Sequence, residues 1–369
     1  MGSRPVRLGM IGCGLISHAH GIAARKSRHQ VSFTACMSRT IESATAWADE
    51  YGCERAYDKL DEMLAGEKLD GVVIASWPSL HCEQILACIE TGIANILCEK
   101  ALVTCGDEAL RVWNTAHKAG ACVVEGYMYR HHLAMRRLEE LTAMGGNGPL
   151  DSIHAVFNML DDTRAASSAD PGWRRRADAG GGVAFDFLCY PVDAACHFAA
   201  ARPVSAQANA SFGPHGTIDR LAGVLEFANG VMAIVESSRH ASLEQRLEIR
   251  HADTTLAIPF AWSPPGEVHI NITRSKGFLE LESRTETIVP TVAHDGRLVD
   301  FPVYTRQMDN FVEVILGRDK PLVAIEGAVI NAYVIDALLA SLESGQREDI
   351  HLPDTIPLPA WIKNMNESS

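Results

Sequence analysis

Along the first third of the chain, apolar positions come in short strand-length runs separated by longer stretches with helical spacing. Val6–Ile11, Val31–Met37, Gly71–Ala75, Ile93–Cys98 and Cys122–Val124 read as strands, and a helix ending near Lys26, Ile41–Tyr51, Cys82–Thr91 and Gly106–Ala119 read as helices. Alternation of this kind predicts βαβ units and a parallel sheet.

The rhythm changes after a helical stretch at Leu133–Ala143 and the turn Gly145-Gly146-Asn147-Gly148. Ser152–Met159, Ala206–Phe212, Leu221–Phe227, Val231–Ser237, Gln245–Arg250, Thr255–Pro259, Val268–Ile272 and Phe278–Leu281 are strand-like and joined by Gly/Asn/Asp turns, of which Ala228-Asn229-Gly230 reads as a hairpin. The pattern predicts a largely antiparallel sheet with one inserted helix near Val183–Ala200, closed by amphipathic helices at Tyr304–Leu316 and Glu326–Ser344.

A chain of 369 residues with 47% hydrophobic content is long enough for two domains. The change of rhythm puts their boundary near Gly126, giving domains 1–126 and 127–369, with the closing helices free to pack back on the first. The net charge of -13 excludes nucleic acid as an expected partner, because neutralising a phosphate backbone takes a concentrated basic surface. The triplet Arg174-Arg175-Arg176 is too short to change this and reads first as a solvated loop face. Ten cysteines are scattered without a Cys-x-x-Cys pair, so they read as reduced thiols and no metal site is expected. Glycines, Ser17 and two histidines interrupt the apolar run Leu8 to Ala24, no run approaches the roughly 20 residues of a membrane span, and Val6 stands where a myristoylation site needs Ser or Thr. The expectation is a cytoplasmic protein with no membrane partner.

Gly12-Cys13-Gly14-Leu15-Ile16-Ser17 follows a strand and opens a helix, the context a dinucleotide-binding turn requires. Gly12 allows the tight turn and Gly14 lets the backbone approach a pyrophosphate at the helix N-terminus. Ser17 takes the third small position. At the end of the second strand no Asp or Glu is available for a ribose 2′-hydroxyl, whereas Ser38 and Arg39 suit a 2′-phosphate, so the expected cofactor is NADP, with NAD possible. The fold class is therefore an α/β Rossmann domain plus an α+β domain with a largely antiparallel sheet, which the family resemblance given next implies to be large and open. The bland alternatives are a structural glycine turn and a polar helix start.

With these features in order, the chain resembles the glucose-fructose oxidoreductase/inositol dehydrogenase (Gfo/Idh/MocA) family nearly end to end. The matching landmarks are Gly12-Cys13-Gly14, Val73-Ile74-Ala75-Ser76 ending at His81, Cys98-Glu99-Lys100, Met128-Tyr129-Arg130, Trp173-Arg174, Gly180-Gly181-Gly182 with Asp186, and Glu343-Ser344-Gly345. The resemblance implies hydride transfer between a nicotinamide and a sugar, cyclitol or related secondary alcohol, and a homodimer or homotetramer formed through the open sheet. It makes Lys100 the residue beside the nicotinamide and the reacting oxygen, where an ammonium stabilises a developing alkoxide and depresses the pKa of a neighbouring acid/base group. Tyr190 takes the acid/base position, as in the branch that resembles dimeric dihydrodiol dehydrogenase, and Asp186 the substrate hydroxyl anchor. Four residues apart, the two share a face if one helix carries both.

Ser76, Trp77, His81 and Glu99 complete the expected nucleotide set with Gly12, Gly14, Leu15, Ile16, Ser38, Arg39 and Lys100. Tyr127, Arg130, Trp173, Arg174, Asp186 and Asp193 form the expected substrate set. His131 and His132 are read equally as pocket residues or a solvated loop, and His197 as a helix-face histidine. The chain departs from the family pattern at Ala101 in place of Pro, at Trp77-Pro78 in place of Pro-Asn, at Leu133 and at Pro191. Trp77 is read either as shaping the nicotinamide side of the pocket or as a packed core residue. Pro191 clashes with the Phe187 carbonyl unless the helix bends there. Two other readings keep the fold: a catalytically silent nucleotide-binding regulator, and a redox-recycling lyase or glycosidase.

Overall fold

The computed structural model describes residues 4–160, 172–263, 267–289 and 302–358. They fall into two compact units, the first made of residues up to Val103, Asp107–His132 and the described part of Thr291–Ile325, the second of Thr104–Gly106, Leu133–Pro290 and Glu326 onward.

The first unit is a parallel sheet of six strands, β1 (Val6–Ile11), β2 (Val31–Met37), β3 (Arg55–Tyr57), β4 (Gly71–Ile74), β5 (Asn95–Glu99) and β6 (Cys122–Gly126), in the order β3-β2-β1-β4-β5-β6. Helices α1 (Leu15–Lys26), α2 (Ile41–Tyr51), α3 (Leu60–Gly66), α4 (Pro78–Glu90) and α5 (Gly106–Ala119) make the connections. Helices cover both faces of such a sheet, so its strands are apolar along their length: Leu8, Met10 and Ile11 in β1 and all of β4 are fully enclosed or nearly so. The strand order reverses between β1 and β4, which puts a crevice at the carboxyl ends of those two strands.

The sequence reading omits β3 and α3, because three residues at a sheet edge and a seven-residue helix carry too few periods to register. It also starts α4 late. Pro78 occupies the first helical position, where a missing N–H costs nothing, and Trp77 is the cap residue.

The second unit holds α6 (Leu133–Ala143), β7 (Leu150–Asn158), α7 (Val183–Asp186), α8 (Cys189–Ala199), β8 (Pro203–Phe212), β9 (Ile218–Phe227), β10 (Met232–Ser238), β11 (Leu247–His251), β12 (Thr254–Ile258), β13 (Val268–Ser275) and β14 (Leu281–Ile288). Helix α9 (Pro302–Ile315) returns the chain to the first unit and packs along α1, with the Tyr304 ring edge-on to His20 at 5.3 Å. Helix α10 (Ile325–Ser344) and a two-residue strand β15 (Glu348–Asp349) complete the second unit. Its nine strands run β14-β13-β12-β11-β7-β10-β9-β8-β15, antiparallel except for the parallel pair β7–β10. Strand β14 lies further along than the expected Phe278–Leu281, since Phe278 falls in the turn and is 99% exposed.

Burial alternates along β9 and β10, and along β8 beyond the irregularity at Pro203–Ser205, so one face meets α8 at β10 and α10 at Ala208 and Gly223, leaving Val204, Val224, Met232 and Ile234 exposed on the other. By length and composition α10 is apolar enough to cross a bilayer, with mean hydropathy 1.5. Its Asn331, Asp336 and Ser341 nevertheless make hydrogen bonds within this unit, to Asp193, the Gly106 N–H and the Ala208 N–H, as a core helix does.

Candidate active site

In the first unit the expected nucleotide residues gather at the carboxyl edge of the parallel sheet. Gly12, at φ +94, closes the turn after β1, and a Cβ there would lie 2.8 Å from both the Ala75 carbonyl carbon and the Ser76 nitrogen. The turn therefore runs hard against the β4–α4 loop. Gly14 is the cap residue of α1, without a side-chain cap, and no atom lies within 4 Å of the space a Cβ would fill. The first-turn N–H groups at Leu15 and Ile16 have no partner within the helix, and Leu15 is 60% exposed. Ser17 is buried against the sheet with its hydroxyl donating to the Gly14 carbonyl at 2.5 Å. An open, uncapped N-terminus with room above Gly14 fits a dinucleotide pyrophosphate.

Ser38 and Arg39 follow β2, and Thr40 caps α2 by accepting from the Ser43 N–H at 3.3 Å. The Arg39 guanidinium lies over the Trp77 ring at 5.6 Å. Trp77 is half-buried and stands beside the end of β2. Ser76 donates to Gln84 Oε1 at 2.5 Å.

Three buried anchors fix the segment that carries Lys100. Glu99, at the end of β5, meets His20 Nε2 through Oε1 at 2.8 Å. His81 straddles the Ala101 carbonyl at 3.0 Å and the Ser76 carbonyl at 3.2 Å, and burial holds it below the ordinary imidazole range. The Leu102 N–H donates to Glu125 Oε1 at 2.8 Å. Lys100 itself is half-buried and its N–H donates to Glu99 Oε2 at 3.3 Å; the Lys100–Ala101 peptide is cis. His20 and Glu125 escape sequence reasoning because they lie 79 and 23 residues from their partners, with no local motif to mark them.

Tyr127, Arg130, His131 and His132 are all buried, in and beside a 3-10 turn that packs on α9. This corrects the solvated-loop reading of the histidine pair. Burial and the nearby Arg306 charge lower His132 to about 4.

In the second unit the expected single helix is two. The Phe187 and Leu188 N–H groups both donate to the Val183 carbonyl, at 3.0 and 2.8 Å, which ends α7, and α8 begins at Cys189. Asp186 and Tyr190 therefore do not share one helical face. The break resolves the clash expected at Pro191, which sits in the first turn of α8, while the Phe187 carbonyl accepts from the Tyr190 N–H at 3.1 Å.

Asp186 is only 2% exposed. Arg174 Nε donates to its Oδ2 at 2.8 Å, and Arg239 Nη2 approaches the same oxygen at 3.8 Å. Arg174 also lies over the Trp173 ring at 4.8 Å. The glycine triplet shapes this turn: the Gly182 N–H donates to the Arg174 carbonyl at 2.8 Å, and a Cβ at Gly181 would press 2.7 Å from the Arg176 carbonyl. Arg175, in the middle of the basic triplet, is buried, so the triplet is not a uniform solvated face.

Tyr190 packs edge-on to Phe157 at 5.3 Å and tilted to Trp262 at 6.1 Å. Asp193 Oδ1 accepts from Asn331 Nδ2 at 3.0 Å, and His197 pairs with Glu139 at 2.8 Å. Trp173, Arg174 and Asp186 thus come together, whereas Tyr190 and Asp193 contact other groups. Sequence reading missed Arg239, whose guanidinium is enclosed and whose Nε lies 3.9 Å from Asp219 Oδ1. Of residues 161–178, which lead into this turn, only 172–178 are among the described residues. Among the described residues no group of three or more His, Cys, Asp or Glu is placed to hold a metal ion.

Comparison with known proteins accords with both units. An oxidoreductase family with an NAD-binding Rossmann fold matches residues 6–127, and its C-terminal domain matches residues 135–256. D-xylose 1-dehydrogenase (NADP(+)) 2 of Haloferax volcanii is 30% identical over 351 residues, spanning 92% of this chain and 97% of that protein. Among solved structures, a 3-ketoreductase from Actinomadura kijaniata in complex with NADP and TDP-benzene superposes with a TM-score of 0.79 at 22% identity, covering 91% of this chain and 98% of the other. A levoglucosan dehydrogenase in complex with NADH and levoglucosan gives 0.81 at 19% identity, covering 94% and 100%. The chain belongs to the Gfo/Idh/MocA family of oxidoreductases.

Proposed function

We propose that the protein is an NADP(H)-dependent oxidoreductase acting on a secondary alcohol or ketone of a sugar, cyclitol or related polyhydroxylated substrate, with NAD as the lesser cofactor. The observation that carries this reading is the pairing, on one sheet edge, of the open turn at Gly14 with a Lys100 segment held by His20, His81 and Glu125. The bound nicotinamide supplies hydride acceptance and donation.

The chain's own residues supply the rest. The uncapped α1 terminus holds the pyrophosphate, and Ser38 with Arg39 receives the 2′-phosphate. Lys100 stabilises negative charge on the reacting oxygen, Tyr190 exchanges its proton, and Asp186 anchors a substrate hydroxyl. Trp173 and Arg174 line the substrate mouth.

We read the exposed apolar positions of the open sheet face, where Ile234 lies directly across from Val224, as the surface on which a second copy docks, giving a homodimer or homotetramer. None of the ten cysteines forms a disulfide, and we place the protein in the cytoplasm.

The test is reduction of NADP, followed by absorbance, with pooled sugars, cyclitols and sugar acids. Turnover that disappears in Lys100→Met and in Tyr190→Phe, with nucleotide affinity kept in both, is the expected outcome. Full activity in Lys100→Met refutes the assignment, and tight nucleotide binding without turnover on any pool, in either direction, favours the regulator.

A further inference from the structure

Three cysteines that the nucleotide reading does not use converge near the end of β2. Cys36 is buried in that strand, and its thiol donates to the Ala44 carbonyl of α2 at 3.3 Å. Cys13, half-buried in the turn between Gly12 and Gly14, donates to the carbonyl of Met37, the next residue along β2, at 3.5 Å. The Gly12 N–H donates to that same carbonyl at 2.8 Å, so the turn is moored where Cys36 stands. Cys53, also half-buried, donates to the Arg55 carbonyl at 3.4 Å, and Arg55 pairs across β2–β3 with Ala35, the residue before Cys36. The Cys36 thiol is in hydrogen-bonding contact with both of the others.

Contact with Cys13, together with burial, pushes Cys36 up to about 12, and contact with Cys36 pushes Cys53 higher still. Both remain thiols at neutral pH, so the resting cluster answers to an oxidant and not to ambient pH. Cys53, held hardest in its protonated form, is the poorer nucleophile of the outer two.

We propose that Cys13 and Cys36 form a redox modification site, in which a disulfide made under peroxide shuts the nucleotide turn. The Cys13 sulfur attacks one peroxide oxygen, breaking the O–O bond and giving a sulfenic acid and water. The Cys36 sulfur then attacks the Cys13 sulfur and expels a second water. Two thiols give up two protons and two electrons, and one peroxide becomes two waters. A bond is shorter than a contact, so Cys13 is drawn toward β2 and the backbone leading to Gly14 and the start of α1 goes with it. Nucleotide binding is lost until an added thiol reduces the bond. This consequence rests on the reading of that turn as the pyrophosphate site.

The test treats the full chain with hydrogen peroxide, with and without NADP, blocks the remaining thiols, and maps tryptic peptides by mass spectrometry. Cys13, Cys36 and Cys53 fall on separate peptides, Leu8–Arg25, His29–Arg39 and Thr40–Arg55, so each pairing has its own mass. Calorimetric titration with NADP follows on the reduced, oxidised and re-reduced protein, on Cys36→Ala and on Cys53→Ser. The expected result is a Cys13–Cys36 linked peptide, suppressed by bound NADP, with affinity lowered about ten-fold or more and restored by dithiothreitol. Cys36→Ala is expected to resist peroxide and Cys53→Ser to respond like the unaltered protein. Absence of the linked peptide overturns the proposal, as does NADP affinity that is unchanged when the link has formed. An equal loss of affinity in Cys36→Ala also overturns it, because direct oxidation of Cys13 is then sufficient. The map on the unaltered protein decides the pairing even if Cys36→Ala fails to fold. If the reduced protein binds neither NADP nor NAD, the nucleotide reading itself falls and the switch with it, whatever the map shows.

Discussion

Arg239 Nη2 lies 3.8 Å from Asp186 Oδ2, and both side chains are almost entirely enclosed. The same guanidinium lies 3.9 Å from Asp219 and 5.3 Å over the Phe187 ring. It is the central cation of a row that runs from Arg174 through Asp186 and Asp219 to His240, and removing it leaves two largely buried carboxylates beside an apolar ring. Arg239→Met is therefore expected to destabilise the fold by about 3–5 kcal/mol, measured as a fall in denaturant midpoint. Arg174 carries the shorter contact to Asp186 but is 46% exposed at its side chain, so Arg174→Met is expected to cost about 1 kcal/mol or less and to act on KM instead. Equal stability losses in the two variants refute this ordering.

Two glycines of one turn separate folding from binding. At Gly12 the positive φ and the close Ala75 and Ser76 backbone both oppose a side chain, so Gly12→Ala is expected to lower the melting temperature and abolish nucleotide binding together. At Gly14 the backbone is extended and the space is open. Gly14→Ala is expected to melt like the unaltered protein while losing nucleotide affinity, because the methyl group occupies the path of the pyrophosphate. A melt and a titration on each variant check the contrast.

Pro191 looks damaging in sequence and is harmless in place. Because it occupies the first turn of α8, Pro191→Ala is expected to change stability by less than about 1 kcal/mol, against the ~3 kcal/mol associated with a proline inside a helix. Thermal or chemical denaturation of the variant decides; a gain near the larger figure would mean that the helix runs through Phe187 and Leu188 after all.

His132 makes stability depend on pH. Its folded value of about 4 lies below the ordinary imidazole value of 6.5, so between those limits the unfolded chain binds a proton that the folded one refuses. Stability from this group is complete above pH 6.5 and declines as pH falls toward 4. His132→Gln is expected to flatten that part of the stability curve, measured by chemical denaturation at several pH values, and an unchanged slope would remove His132 as its source.

Much of the fold was legible because its signals are local. Most strands of the parallel sheet announce themselves as short apolar runs, β8 to β10 as strand-length runs between turn residues, and the Gly12 turn as a short motif between a strand and a helix. Three-residue β3 has no period to read. The break at Phe187 and Leu188 follows from a backbone choice that no turn residue marks, and the Pro191 clash was the one clue to it. The site divides in the same way. Lys100 and Asp186 stand in motifs, whereas His20, Glu125 and Arg239 matter through partners 79, 23 and 53 residues away, a distance at which burial decides and spacing says nothing. Trp77 was visible as a departure, but its position beside Arg39 depends on the strand order.

Helix α9 belongs to the first unit although it follows most of the second in sequence, and its Tyr304 closes over His20. During synthesis, then, the nucleotide unit is left with α1 uncovered until the intervening sheet has been made, a wait on the order of ten seconds or more at ordinary elongation rates. An emerging chain must shelter that apolar helix face for the whole interval, although all six strands of the first unit are made by Gly126. Neither part is a closed stretch of chain: the first is complete only with α9, and the second only afterwards, with α10 and β15.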